Sequence, residues 1–151
     1  MILAVCIDDG GGLRFNHRRQ SRDAGLMARL VEKFPGADFY AAPDSAVLFE
    51  NSGLPAARLH LAADFLAAAG PGDVAFAEDG PLAPWAEKAE GLVIYHWNRR
   101  YPSDVTLDID LGAWRLAGRE DFAGTSHETI TEEVYKVRRS EERRVGKECR
   151  S

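Results

Sequence analysis

The chain has 151 residues, 45% of them hydrophobic and 28% charged, with 19 Lys and Arg against 24 Asp and Glu for a net charge of −5 at pH 7. That length suits one domain with a buried core, and the acidic balance excludes general nucleic-acid binding while leaving room for a local basic site. No apolar run reaches the ~20 residues of a membrane helix, and no basic segment leads into an apolar signal sequence, so a cytoplasmic protein is expected.

Ile2–Ile7 is short and continuously apolar and runs into Asp8-Asp9, the pattern of a buried strand. Gly10-Gly11-Gly12 lets the backbone turn and approach a ligand closely. Arg14, His17, Arg18, Arg19 and Arg22 follow at once. Guanidinium groups at that density clamp anions through directed, bidentate hydrogen bonds, so a small anionic ligand is expected near the end of the first strand. Residues 21–34 read as a helix, with Ser21 able to cap it and Leu26, Met27, Leu30, Val31 and Phe34 at helical spacing. Pro35-Gly36 ends it.

Residues 37–42 form a second short strand, and residues 43–50 suggest a short helix with Asp44 or Ser45 near its start. Asn51-Ser52-Gly53 is a turn. Residues 59–69 read as helical until Gly70-Pro71-Gly72-Asp73 stops them, and Val74–Ala77 is a third strand. A loop at Glu78-Asp79-Gly80-Pro81 precedes a helix over 82–89, and 92–97 is a strong strand. An extended segment over 105–111, a short strand over 114–118 and a terminal strand over 129–137 complete the order; Glu132-Glu133 keeps helix as the alternative for the last. Strands alternating with helices point to an α/β domain, its sheet mostly parallel and flanked by helices, with the C-terminal strands antiparallel.

Residues 139–151 (RSEERRVGKECRS) resemble a reading-frame translation of a sequencing-library adapter and are read as a non-native tail. The domain is then 1–138, with 14 Lys and Arg against 21 Asp and Glu, a net charge of −7. Cys6 is the single cysteine of that part, which fits a reducing compartment. Within an apolar strand it reads as a small core residue rather than a nucleophile.

From Val74 the chain offers a strand, a helix with Leu82-Ala83-Pro84-Trp85-Ala86, the strand Leu92-Val93-Ile94-Tyr95, Tyr101-Pro102-Ser103-Asp104, Asp108-Ile109-Asp110-Leu111, Trp114-Arg115-Leu116, Glu120-Asp121-Phe122 and a final strand. This order is similar to the C-terminal half of dihydrofolate reductases. The opening strand, the helix over 21–34 and Leu54-Pro55-Ala56-Ala57-Arg58 resemble the first half of that family more loosely. The resemblance implies a dihydrofolate-reductase-like fold and NADPH-dependent reduction of a small heterocyclic or nucleotide-like anion. It makes Asp23 the family's acid in the substrate helix, which bonds a pterin-like ring and assists protonation, with the raised pKa of a buried acid. Arg58 matches the arginine that holds a folate carboxylate, and Gly80 and His96 lie where the cofactor passes. Three motifs depart from the family, and one of them, its Leu-Pro-Trp before the substrate helix, is replaced here by the arginine-rich segment. Its Gly-Gly pair at the end of the cofactor strand reads Ala77-Glu78-Asp79-Gly80, and its basic phosphate grip reads Ala42-Pro43-Asp44-Ser45. Carboxylates there repel a pyrophosphate unless a cation or arginine intervenes.

Other readings compete. A non-catalytic protein of the same fold would grip a phosphorylated ligand through Arg14, Arg18, Arg19 and Arg22. A metal-dependent nucleotide or RNA hydrolase would use Asp8 and Asp9, although pairing with the nearby arginines is the simpler role for both. The opening also resembles short bacterial chains labelled ribonuclease Z, but the His-x-His-x-Asp-His cluster of that two-zinc enzyme is missing, and no metal ligand set is assigned. The histidines His17, His60, His96 and His127 stand far apart, and His127 receives no role. Asp104, Asp108 and Asp110 alternate as on one face of a solvated strand. Trp85, Trp97 and Trp114 read as core-closing residues.

Overall fold

The computed structural model describes residues 1–137; the adapter-like segment lies outside the described residues. Among the described residues ten strands form two sheets. They are β1 (Ile2–Ile7), β2 (Gly12–Phe15), β3 (Arg18–Arg19), β4 (Phe39–Ala41), β5 (Leu59–Leu61), β6 (Val74–Ala77), β7 (Gly91–His96), β8 (Val105–Thr106), β9 (Trp114–Phe122) and β10 (Ile130–Val137). The helices are α1 (Ala24–Lys33) and the single turns α2 (Phe65–Ala68) and α3 (Ala83–Ala86), with a 3-10 segment over Pro43–Phe49. The large sheet runs β5-β4-β6-β1-β7-β10-β9. Its first five strands are parallel, and β10 pairs antiparallel with both β7 and β9. No helix of the described residues is long and apolar enough to cross a membrane.

Alternation along the central strands divides the core in two. Ala4, Phe76, Val93, Tyr95 and Trp97 face one side, where Leu26, Met27, Leu30 and Val31 of α1 cover them. Leu3, Val5, Ile7, Leu92 and Ile94 face the other side, against Leu82, Phe65 and Trp114. A parallel sheet must be covered on both faces, and the continuous apolar run of β1 supplies both sides at once.

Four local expectations change. Asp23, not Ser21, caps α1, because its carboxylate accepts the Leu26 N–H at 3.1 Å, so the helix starts three residues late. Residues 59–69 are not one helix: Leu59–Leu61 pairs with β4, and only Phe65–Ala68 turns helically. Their apolar residues satisfy either period, and the open edge of β4 decides. The basic stretch after Gly12 is a hairpin, with Asn16 and His17 at φ 52° and 61° as its two-residue turn. It joins β8 as a small sheet of order β3-β2-β8. The carboxylates of Asp104, Asp108 and Asp110 do not share a strand face. Each accepts backbone N–H groups of a different turn, at Asn16, at Leu82 and Ala83, and at Gly112 respectively.

One buried carboxylate ties α1 to the sheet. Glu132 of β10, 2% exposed, accepts Tyr95 Oη at 2.8 Å, Arg29 Nε at 3.1 Å and Lys33 Nζ at 3.2 Å. Burial would raise its pKa, but Arg29, Tyr95 and Lys33 together hold it below the usual range. Glu132→Ala leaves the Tyr95 hydroxyl unpaired in the core. It should lower the free energy of unfolding by about 3 kcal/mol, read from urea denaturation.

Candidate functional site

Strands β6, β1 and β7 are parallel and finish on one side, with β1 in the middle. The chain leaves β1 toward α1 and β4 and returns through β6 before reaching β7 beyond it, so the connections part at this point. Crevices for ligands form at such a switch point, outside the carboxyl ends of the strands. The residues that close this crevice come from the β3–α1 junction, from residues 97–101 after β7, and from the β9–β10 turn.

Asp23 lies at its centre, 2% exposed. Besides the Leu26 N–H, its carboxylate accepts the Thr125 N–H at 2.9 Å and the Ser126 N–H at 2.8 Å, both from the β9–β10 turn. His127 Nδ1 lies 3.1 Å from Asp23 Oδ2. Burial pushes the Asp23 pKa up, but these donors outweigh it and hold the group ionised, well below the usual carboxylate range. That reverses the raised pKa expected of a proton donor. Gly124 keeps the turn close: a Cβ there would overlap Asp23 Oδ2 and come within 2.8 Å of Ile130 Cδ1. His127 is buried and stacks on Trp97 with ring centroids 4.6 Å apart. Its other nitrogen, Nε2, lies 3.0 Å from Ser21 Oγ and 3.2 Å from Tyr101 Oη.

The arginines divide into two groups. Arg19 grips Glu78 bidentately, Nε to Oε1 at 2.7 Å and Nη2 to Oε2 at 2.9 Å, and Nη2 also reaches the Asp44 carbonyl. Arg14 pairs with Asp44 at 2.8 Å, with Glu78 at 3.5 Å and with Asp79 at 3.9 Å. Ser45 Oγ completes the shell of Glu78 at 3.0 Å. Two guanidiniums thus meet three carboxylates at the ends of β4 and β6, and the local balance is negative. By contrast Arg22 and Arg99 are exposed and make no side-chain hydrogen bond or ion pair among the described residues.

Arg22 and Arg99 line an open cleft of about 540 Å³ with Arg19, Ser21, Tyr101, Ser126 and His127. That size is ordinary for a small-molecule site. A recess behind it, floored by Cys6, Met27, Leu48, Phe76 and Trp97, holds about 20 Å³. It admits little more than one water-sized group. Burial, reinforced by the Glu78 and Asp23 carboxylates, pushes the Cys6 thiol up and out of the nucleophilic range.

No protein-family model and no curated protein matches the chain. Among solved structures it is similar to a dihydrofolate reductase from Enterococcus faecalis complexed with NADP(H) and RAB-propyl. The two share 12% identity with a TM-score of 0.61, over 91% of this chain and 96% of that one. The fold is dihydrofolate-reductase-like. The resemblance read from the order of elements therefore holds at the level of fold, including the parallel sheet with its antiparallel C-terminal strands.

On that fold the expected site residues separate. Asp23, Arg19 and Arg22 meet at the crevice, and Arg14 reaches it only through its acids. His17 and Arg18 sit exposed at the hairpin tip. Arg58 donates to the Ala37 carbonyl at 2.8 Å and ties the start of β5 to the connection between α1 and β4. His96 points to the opposite face from Trp97 and bonds Glu133. Gly80 abuts Val105 of the small sheet. Asp8 bonds the N–H groups of Gly10, Gly12 and Tyr101 rather than any arginine. Among the described residues no group of three His, Cys, Asp or Glu side chains is placed to hold a metal ion. Nor do the residues at the end of β6 fit a dinucleotide pyrophosphate, because Glu78, Asp79 and Asp44 present carboxylates already matched to Arg14 and Arg19. Sequence reasoning missed His127 and the part played by Ser21. They lie 106 residues apart, and no local pattern announces their contact.

A depressed folded pKa contributes stability above the unfolded value of ~4 and loses it as pH falls, because the unfolded chain takes up the proton first. Asp23 and Glu132 both act in this sense. Asn still caps α1 at position 23, so Asp23→Asn should fold but lose less stability than the parent between about pH 5 and pH 2. Denaturant titrations across that range check this. Gly124→Ala should lower the unfolding free energy by about 1–3 kcal/mol through overpacking against Asp23, measured the same way.

Proposed function

We propose that the protein binds a small carboxylate- or phosphate-bearing molecule in the cleft between the β3–α1 junction, Tyr101 and the β9–β10 turn. The reading rests on one observation: Arg22 and Arg99 face this cleft without acidic partners among the described residues, while Arg14 and Arg19 are neutralised. Exposed guanidiniums beside a site of this size bind anions at small desolvation cost. The anionic ligand expected from the Arg14–Arg22 cluster is kept, and Arg22, with Arg99 from outside the cluster, carries it. Cys6, half-buried and without a disulfide, suits a reducing cytoplasm.

NADPH-dependent reduction is the second reading, favoured by a fold neighbour whose structure is complexed with NADP(H). Against it stand the surroundings of Asp23, which favour its anion, and the carboxylates at the end of β6.

Thermal-shift titrations with inorganic phosphate, citrate and NADPH separate the two. On the first reading phosphate or citrate raises the melting temperature, and Arg22→Ala and Arg99→Ala each weaken binding about tenfold, near 1.4 kcal/mol. A shift with NADPH alone, unchanged in both variants, would favour the reductase.

A further inference from the structure

We propose that Ser21 is a nucleophile activated by His127, and that the cleft hydrolyses esters of small anionic carboxylic acids. The substrate class rests on the anion-binding reading above; the nucleophile does not.

The geometry carries the argument. Ser21 Oγ, His127 Nε2, His127 Nδ1 and Asp23 Oδ2 form a relay with steps of 3.0 Å and 3.1 Å. This is the arrangement in which a base takes a hydroxyl proton while a carboxylate orients the base. The tautomer follows from the neighbours. Asp23 is an ionised acceptor, so Nδ1 carries the proton. Ser126 Oγ also lies 3.1 Å from Nδ1, but its own proton has acceptors in the Arg22 carbonyl at 2.8 Å and Asp23 Oδ2 at 3.1 Å, and donating to either leaves it an acceptor toward Nδ1. In the neutral imidazole Nε2 then presents a lone pair toward the cleft.

Only two hydroxyls reach that lone pair, Ser21 Oγ at 3.0 Å and Tyr101 Oη at 3.2 Å, and neither has another partner among the described residues. The imidazole is fixed by its stack on Trp97 and by burial, so the base does not wander. Ser21 itself is half-buried and lines the open cleft with Arg22, Arg99 and Tyr101. A hydroxyl held only for structure has no need of a buried, carboxylate-oriented imidazole, or of free arginines beside it.

The steps balance without a metal, oxidant or reductant. Ser21 Oγ bonds to the ester carbonyl carbon as its proton passes to Nε2, and negative charge develops on the carbonyl oxygen. Tyr101, whose hydroxyl lines the same cleft, is available to donate to that oxygen. The carbon–oxygen bond to the alcohol then breaks, and Nε2 returns the proton to the departing oxygen. Water repeats the sequence on the acyl-serine, and a carboxylic acid and free Ser21 result. Ser21 and His127 are the catalytic residues, and Asp23 is a positioning residue.

The full chain is treated with a fluorophosphonate, in which Ser21 Oγ displaces fluoride from phosphorus. In parallel, p-nitrophenyl acetate and mono-p-nitrophenyl succinate are compared as substrates. We expect one adduct per chain, mapped to Ser21, absent from Ser21→Ala and His127→Gln variants whose circular dichroism matches the parent. Ser21→Gly replaces Ser21→Ala, and His127→Asn replaces His127→Gln, where the first does not fold. Asp23→Asn should label at least ~10²-fold more slowly, and the far-downfield imidazole N–H proton resonance of the Nδ1–Asp23 bond should vanish although Asn keeps the helix cap. Absence of an adduct on folded parent protein, or labelling that survives His127→Gln, overturns the proposal. Labelling of Ser21 with no preference for the succinate ester supports the nucleophile and overturns the anionic substrate class. Phosphate or citrate binding without labelling does the reverse.

Discussion

The Asp23 carboxylate is the interaction on which the rest of the site depends. It caps α1, takes two N–H groups of the β9–β10 turn, and orients His127. These partners come from opposite ends of the domain. A charge buried this deeply persists only when donors replace its water, and here backbone N–H groups of two segments supply them. The turn after β9 consequently sits against the start of α1, and Gly124 leaves room for that approach. The crevice is shaped by the needs of one carboxylate.

Charge has been redistributed around the same fold. At the ends of β4 and β6, acids stand where the resemblance leads one to expect glycines and a base, and the hairpin β2–β3 brings Arg14 and Arg19 across to match them. Glu78 is thereby held by a bidentate arginine, a second arginine and the Ser45 hydroxyl. An ionic network of this kind fixes geometry rather than adding much net stability, and it closes this side of the crevice to another anion. The cationic groups left open lie on the opposite side, next to His127. The basic cluster, continuous in sequence, is therefore split in function by which members find acids.

A dihydrofolate-reductase-like fold does not carry the reaction of that family with it. At 12% identity the likeness shows the path of the chain and little of its chemistry. The reductase reading turns on the state of a single acid. A carboxyl group that must donate a proton needs an environment that favours its neutral form. Asp23 has one that favours its anion, which is what an orienting partner for an imidazole requires.

Much of the fold was legible in the chain. The continuous apolar run of β1, the helical spacing from Leu26 to Val31, the strands at Val74 and Leu92, and the terminal strand with its two glutamates depend on local periodicity, and each stands nearly where it was expected. The short segment over 59–69 fits both periods, and only the free edge of β4 made it a strand. The hairpin carries Asn16-His17 in place of the usual glycine-bearing turn, so its signal was weak. By itself the sequence determined the α/β alternation, the two-faced core and the presence of a basic cluster beside the first strand, because these follow from neighbours within a few residues. Tertiary structure alone decided which arginines are neutralised, that Asp23 is ionised, and that Ser21 meets His127. Those outcomes depend on burial and on partners roughly sixty to a hundred residues away, which no local pattern encodes.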